Sequence, residues 1–315
     1  MAKKATAVKM PTLNTLFYRT GDLSSTTWAR GNEVNLVRDL AAVNRHNMTH
    51  TTNTGVPLVY RVAVTMMARV KNETNNAIFM EDVNLIQVGE IHTAPNTWVT
   101  RNAFVKAHAA RESMFKHQGV SKADRGAYSR TIRPSWDADV DSFLVPYKGD
   151  TGGGQVYDLG TWDYTALKQD DGDMTNLRTV GDSGVLSLYL DSRRQIRPDS
   201  NSDGDSEDQP VNENIFNKLL SPTLGISSKD GAVVALARDE QDNPPYSLDN
   251  NGDHTDMVLA GRQFIGSQAG LTSTAVYDIP LGLFEIAGLN AYVDAGQSLT
   301  RGFDFKVELL GIYPM

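Results

Sequence analysis

The sequence predicts an all-β protein, mainly β with a few helices, that is built from two β-rich halves. Apolar and polar residues alternate over several short segments, and polar loops rich in glycine, proline or aspartate separate these segments. No regular series of helices alternates with them, as a parallel sheet would require. Many short strands joined by long polar loops are typical of sandwiches and barrels, so we expect that class of fold.

The clearest strand prediction covers residues 58–70. Apolar residues recur at every second position from Leu58 onward, while Arg61, Thr65 and Arg69 lie between them. This alternation indicates an antiparallel strand with one buried face and one solvated face. Further strands are predicted at 83–88, 185–190, 232–237, 257–265, 275–279 and 303–309.

One long helix is predicted at residues 98–118. Thr97 occupies the position of an N-cap, and Gly119 is a typical residue for a helix C-terminus. The apolar residues of this segment fall on two sides of a helix, which indicates that it packs between two partners.

Charged residues run through one apolar face of this helix, namely Arg101, His108 and Glu112. Charged groups in such a position need partners. We therefore expect these three residues to lie at a subunit interface and to find their partners in another copy of the chain. The alternative is a helix packed within its own domain, whose charged side chains extend to water.

The chain divides near its middle at a glycine-rich stretch, residues 148–155. Consecutive glycines favour neither helix nor strand. We therefore predict two domains, residues 1–150 and residues 151–315. The first contains a basic N-terminal arm and the helix, and the second contains long, exposed polar loops at 198–210 and 239–256.

The formal net charge of −8 is unevenly distributed along the chain. Residues 1–133 carry 18 Lys or Arg and 9 Asp or Glu, a net of +9, whereas residues 134–315 carry 12 and 29, a net of −17. The basic part begins with Lys3, Lys4 and Lys9, which we expect to contact a polyanion, either lipid or nucleic acid. The alternatives are a solvated terminus and complementary charged faces that serve subunit assembly.

Few residues are arranged for catalysis or metal binding. The chain has no cysteine, which excludes thiol nucleophiles and cysteine-ligated metals. His46 and His50 are four residues apart but lack the intervening glutamate of a metalloprotease motif. Residues 199–207 match the first part of a calcium loop, but Pro210 stands where the bidentate glutamate is needed. We predict no catalytic, cofactor-binding or metal-binding residue, and we expect a protein that is not an enzyme.

Two segments are similar to stretches found in small bacteriophage coat proteins. They are residues 114–134, which begin Met-Phe-Lys-His-Gln-Gly, and residues 277–284, Tyr-Asp-Ile-Pro-Leu-Gly-Leu-Phe. In size and layout the whole chain resembles the major capsid proteins of icosahedral, membrane-containing phages, the family of a Flavobacterium-infecting lipid-containing phage and its relatives. This resemblance implies a double jelly roll, two β-sandwich jelly rolls side by side, and pseudo-hexameric trimers.

The resemblance also implies a structural function without a cofactor. Such a chain is made in the host cytoplasm and assembles as homotrimers into an icosahedral virion shell around an internal membrane and a single-stranded DNA genome. Its partners are copies of itself, penton or spike proteins, and lipid or nucleic acid at the inner face. The alternative is a calcium-dependent carbohydrate-binding or glycoside-hydrolysing β-sandwich protein, and a trimeric tail or spike subunit is a third possibility.

Overall fold

The computed structural model describes residues 10–20, 32–72, 85–135, 143–148, 156–168, 174–176, 185–186, 189, 257–266, 272–293 and 299–315. In this part of the chain the fold is mostly β, as predicted. The elements are β1 (Thr15–Arg19), β2 (Glu33–Asn35), α1 (Leu36–Asn44), β3 (Leu58–Asn72), β4 (Leu85–Thr93), α2 (Trp98–His117), a 3-10 helix (Ala127–Arg130), β5 (Ala166–Lys168), β6 (Met174–Asn176), β7 (Val258–Gly266), β8 (Thr272–Pro280), β9 (Leu283–Val293) and β10 (Leu299–Pro314).

The longer strands form two antiparallel sheets of four strands each. The first sheet has the order β1-β10-β3-β8, and the second has the order β2-β9-β4-β7. A separate two-stranded sheet joins β5 and β6. The longest pairing, between β10 and β3, brings Phe305 opposite Met66 and Val307 opposite Val64.

The core lies between the two four-stranded sheets, which therefore form a sandwich. Alternate side chains of each strand point inward, as the period of two in the sequence predicts. The first sheet contributes buried residues such as Tyr18, Tyr60 and Phe305, and the second contributes Ile91 and Phe284. Their burial removes the largest apolar side chains of both sheets from water, which is the main favourable contribution to folding.

Strands from both sides of residue 150 share each sheet. The first sheet takes β1 and β3 from residues 1–150 and β8 and β10 from residues 151–315, and the second sheet is divided in the same way. This arrangement differs from the expectation of a separate sandwich for each half. That expectation came from the glycine-rich stretch at 148–155, and a local break does not determine which distant strands pair. The glycines at 152–154 lie outside the described residues.

Most strand predictions within the described residues are confirmed, and one is wrong. Strands cover the predictions at 58–70, 275–279 and 303–309, the strand predicted at 257–265 begins at Val258, and β4 begins at Leu85 and extends to Thr93. At 185–190 the described residues Val185, Leu186 and Tyr189 are helical. Their spacing of one and four positions places them on one side of a helix, where all three are buried. The segments 198–210, 232–237 and 239–256 lie outside the described residues.

The long helix predicted at 98–118 is confirmed as α2, with Thr97 at the N-cap and positive φ at Gly119. The Thr97 side chain makes no capping hydrogen bond, however. A stripe of small residues on α2 packs in a second apolar cluster, together with Leu281 and Leu283 from the turn into β9 and the start of that strand. Neither α2 nor any other helix of the described residues is long and apolar enough to cross a membrane.

Helix α1 was not predicted. It follows β2 directly and begins at Leu36. Asn35 is its N-cap, because the Asn35 side-chain oxygen accepts a hydrogen bond from the Arg38 backbone N–H at 3.0 Å. The helix packs against the tight turn between β8 and β9. In that turn Gly282 has φ +66°, and a Cβ atom there would lie 2.8 Å from the Val37 side chain. The turn therefore requires glycine for both its backbone conformation and its close approach to α1.

Candidate assembly surface

Strands β7 and β8 are edge strands, one in each sheet, on the same side of the sandwich. Gln263 of β7 joins them, because its Nε2 donates to the Val64 carbonyl at 3.1 Å and contacts the Tyr277 hydroxyl of β8 at 3.2 Å. The Tyr277 ring also covers Gly261, where a Cβ atom would lie 2.9 Å from the ring. The space between β7 and β8 is therefore filled on the core side by these hydrogen bonds and by the Tyr277 ring.

The outside of the same two strands carries exposed apolar side chains, Val258, Leu259, Phe264 and Val276. Phe264 is 59% exposed and Val276 is 56% exposed. We call this surface the β7–β8 edge. Single exposed apolar residues are common on proteins. Phe264 lies on the outer face of the second sheet and Val276 on that of the first, because their neighbours Gln263 and Tyr277 point inward. Phe264, the more exposed of the two, is therefore the side chain through which this edge is best suited to association.

The backbone of β7 is irregular at one point along this edge. In its pairing with β4, Gly261 is opposite Ile91 and Leu259 is opposite His92, so that Ala260 has no opposite residue. Such a bulge turns an edge strand away from regular pairing with another strand. Contacts at the first half of β7 are therefore expected to involve side chains, whereas residues 261–266 continue as a regular strand.

A second exposed apolar patch lies at the opposite edge of the first sheet, where β1 begins. Leu13 is 51% exposed and Leu310 is 47% exposed. Asn44 of α1 holds Leu13 in place, because its side chain makes two hydrogen bonds of 2.8 Å with the Leu13 backbone. The adjacent Leu309 N–H donates to the Asn14 carbonyl at 2.8 Å. Within the first sheet, β1 and β8 are three strand spacings apart, about 14 Å.

A buried polar cluster connects α1 to β1. The Tyr18 hydroxyl donates to Asp39 at 2.7 Å, and Arg38 Nε donates to the other Asp39 oxygen at 2.8 Å. Arg38 also donates to the Leu144 carbonyl at 2.8 Å. Burial raises the pKa of Asp39 to about 6, although Arg38 favours its charged form. Since Tyr18 and Asp39 are both buried, the cluster acts as an internal brace.

Another polar group lies on the outer face of the second sheet. Glu90 of β4 pairs with Arg262 of β7 and accepts a hydrogen bond from His92 Nε2 at 3.2 Å. These contacts fix β7 to its neighbour and give each oxygen of the Glu90 carboxylate one partner. Among the described residues, no group of three histidine or acidic side chains is arranged to hold a metal ion.

His46 and His50 lie in different environments. Helix α1 ends at Asn44, so the two histidines do not share a helical face. His46 is exposed, whereas His50 is fully buried and its Nδ1 hydrogen bonds to the Leu281 carbonyl at 2.6 Å. Burial lowers the pKa of His50 to about 4, so this side chain is neutral at physiological pH.

The predicted interface residues of α2 find partners within the same chain. Both Glu112 oxygens accept hydrogen bonds from the Arg125 guanidinium, at 2.6 and 3.2 Å. His108 Nε2 lies 3.2 Å from a backbone carbonyl at position 130, and Arg101 Nε lies 3.3 Å from the carbonyl of Met315. The need for partners from another copy, which led to the interface prediction, is therefore met internally. Lys3, Lys4 and Lys9 lie outside the described residues.

An open cleft of about 390 Å³ lies beside α1. Its lining includes Arg38, Arg133, Trp162 and Asp163. The Arg133 guanidinium lies 5.4 Å from the centre of the Trp162 ring, and the His50 ring contacts it edge-on at 5.9 Å. The Trp162 ring is thus already packed by two side chains of the chain itself.

No protein-family model, curated protein or solved structure matches this chain. Its function has to be inferred from the residues and geometry described above. Among these, the exposed apolar surfaces at two opposite edges were missed by the sequence analysis. For the β7–β8 edge, one sequence pattern was informative. Phe264 is two residues from Arg262, and this spacing assigns the aromatic side chain to the solvated face of its strand.

Proposed function

We propose that this protein is a coat subunit, which assembles with copies of itself into the shell of a bacteriophage virion. The observation that carries the proposal is the pair of exposed apolar surfaces on opposite edges of one sandwich, the β7–β8 edge and the Leu13–Leu310 patch. A contact between two different surfaces leaves one of each free on every pair of copies, so that further copies can add until a ring closes. A shell requires, in addition, a contact of another kind between such rings. A contact of one surface with itself would stop at a dimer.

The finer architecture we propose is a single jelly roll. Along the chain, β1 to β4 alternate between the first and the second sheet, and β7 to β10 alternate again, starting in the second. Eight strands distributed in this way over two sheets are typical of jelly rolls, which occur in viral capsid proteins, lectin domains and cupins. A double jelly roll needs eight more strands, and the long strands described beyond residue 150 all belong to the first set.

One jelly roll per chain changes the expected shape of a trimer. Three chains then supply three sandwiches rather than the six that a pseudo-hexameric outline requires. We therefore propose homotrimers, or rings of another order, with one sandwich per copy. Apolar contacts supply most of the affinity between copies, and charged side chains around these contacts set the orientation of neighbouring copies.

Light scattering after size-exclusion chromatography, followed by electron microscopy of the largest fraction, tests the proposal. We expect oligomers or closed shells, in proportions that depend on protein concentration and salt. A protein that stays monomeric at every accessible concentration would contradict a coat function. Fibrous or spike-shaped particles would indicate a tail or spike subunit instead.

The calcium-dependent carbohydrate-binding alternative is separated by a second measurement. Calcium raises the melting temperature of a protein that binds it in the folded state. The predicted calcium loop at 199–207 lies outside the described residues, and the Trp162 ring in the cleft is already covered by Arg133. We expect the melting temperature of the coat subunit to be the same with calcium and with a chelator.

A further inference from the structure

The second half of α2 and the segment that follows it, residues 111–133, form one helix–loop unit. The Arg125 guanidinium lies 4.3 Å from the centre of the Phe115 ring and makes the two hydrogen bonds with Glu112. Arg111 donates to the Thr131 carbonyl at 2.7 Å. These contacts fold the loop back along the helix, so the side chains of the loop are presented on a defined support.

This unit is strongly basic. Residues 111–133 contain six Lys or Arg and two acidic residues, although the chain as a whole is acidic. The pKa of Arg111 is lowered, first because the side chain is partly buried and then because Arg133 and Arg125 are close to it. The close approach of these arginines concentrates positive charge within the unit, although Arg125 is paired with Glu112.

Three of the cations are exposed: Lys116, Lys122 and Arg130. Within the described residues none of them makes an ion pair shorter than 4.0 Å. Lys122 still acts on Glu112, whose pKa is lowered first by its hydrogen bond with Arg125 and to a smaller extent by the charge of Lys122. Arg130 and Lys122 are neighbours, since an Arg130 guanidinium nitrogen lies 3.5 Å from the Lys122 carbonyl. The exposed acid of the unit, Asp124, accepts a hydrogen bond from the Ser121 hydroxyl at 2.5 Å. The exposed part therefore has an excess of cations available to a ligand.

The described part of the unit offers no side chain for insertion into a lipid layer. Insertion needs exposed large apolar side chains, and none of the unit's described side chains is of that kind. The dipole of α2 accounts for a cation at Lys116, in the last turn of the helix. It does not account for Lys122 and Arg130, which lie beyond the C-terminus of α2. Phosphate groups of a flexible polyanion fit this separated set of cations.

We propose that this helix–loop unit binds the phosphate backbone of nucleic acid, through Lys116, Lys122 and Arg130 and without regard to base sequence. The site is distinct from the N-terminal lysines, and its binding does not require assembly. In a shell, this contact would orient α2 toward the genome. Because the contact is electrostatic, its strength depends steeply on salt.

Fluorescence anisotropy of a labelled oligothymidylate, added to the unassembled full-length chain, measures the binding. The variant Lys116→Gln/Lys122→Gln/Arg130→Gln is expected to bind about tenfold more weakly, and the slope of log affinity against log salt should decrease by about 2, at about 0.7 per charge removed. The matched control Arg45→Asn/Lys148→Gln/Arg101→Gln removes three exposed cations elsewhere. It is expected to retain the affinity and the slope of the wild type.

Three results would overturn the proposal. One is an equal loss of affinity in both triple variants, which would show that only overall charge matters. Another is unchanged binding in the first variant together with loss of binding in Lys3→Gln/Lys4→Gln/Lys9→Gln, which would assign the contact to the N-terminal arm. The third is binding to vesicles that contain phosphatidylglycerol without binding to the oligonucleotide. Circular dichroism melting of each variant confirms that the compared proteins are folded.

Discussion

Replacing Phe264 by serine is expected to weaken assembly strongly while leaving the fold intact. Phe264 is 59% exposed on the β7–β8 edge, and a whole phenylalanine side chain offers about 200 Å². Assembly can therefore cover about 120 Å² of this side chain in each contact. At about 25 cal/mol per Å², the loss is about 3 kcal/mol per contact, or about a hundredfold in the association constant.

Light scattering of wild type and Phe264→Ser over a dilution series measures this effect. We expect the transition from free subunits to oligomers to occur at a concentration about a hundredfold higher in the variant. Phe264→Leu is the matched control, because leucine keeps most of the apolar area, and it should assemble nearly as the wild type does. If Phe264→Ser assembles at the wild-type concentration, the β7–β8 edge is not the contact surface. Since the side chain is exposed, both variants should melt at nearly the wild-type temperature.

Three further predictions concern the stability of the sandwich. The pKa of Asp39 is raised to about 6 by burial, so the folded state holds this proton over a range in which the unfolded chain has lost it. The free energy of unfolding should therefore decrease by about 3 kcal/mol as the pH rises from about 4 to about 6. Urea unfolding of Asp39→Asn should not show this decrease. If the free energy of unfolding of wild type and variant changes with pH in the same way, the prediction is contradicted. Tyr277→Phe removes the hydroxyl that contacts Gln263 and should lower the free energy of unfolding by about 1 kcal/mol, whereas an unchanged urea midpoint would show that the contact contributes nothing. Gly282→Ala should lower the free energy of unfolding more than Gly119→Ala does, because both glycines have positive φ but only a Cβ atom at Gly282 would meet another side chain. If both variants lose the same free energy of unfolding, about 1 kcal/mol, backbone strain alone accounts for the effect.

Regular elements with a clear periodicity were predictable from the sequence. β3 and β10 have apolar residues at every second position, and α2 is bounded by Thr97 and Gly119. Helix α1 was missed because it is short and follows β2 without a loop. The strand predicted at 185–190 was wrong, because a short apolar run is compatible with both a strand and a buried helix.

The arrangement of the strands could not be predicted. β1 pairs with β10 from the opposite end of the chain, and Thr15 is opposite Glu308. Such pairings depend on contacts between residues far apart in sequence, and periodicity reports only which face of a strand is buried. For the same reason the partners of His108 and Glu112 were assigned to another subunit. Their actual partners, at positions 130 and 125, lie in a loop whose return along α2 has no local sequence pattern.

The central position of β10 in the first sheet has a consequence for synthesis. A nascent chain that has been translated only to residue 298 has no strand to place between β1 and β3. The sandwich can close only after residues 299–314 have left the ribosome, when β10 pairs with both neighbours along its length. A growing chain whose residues 299–314 are still inside the ribosome therefore lacks the central strand of its first sheet.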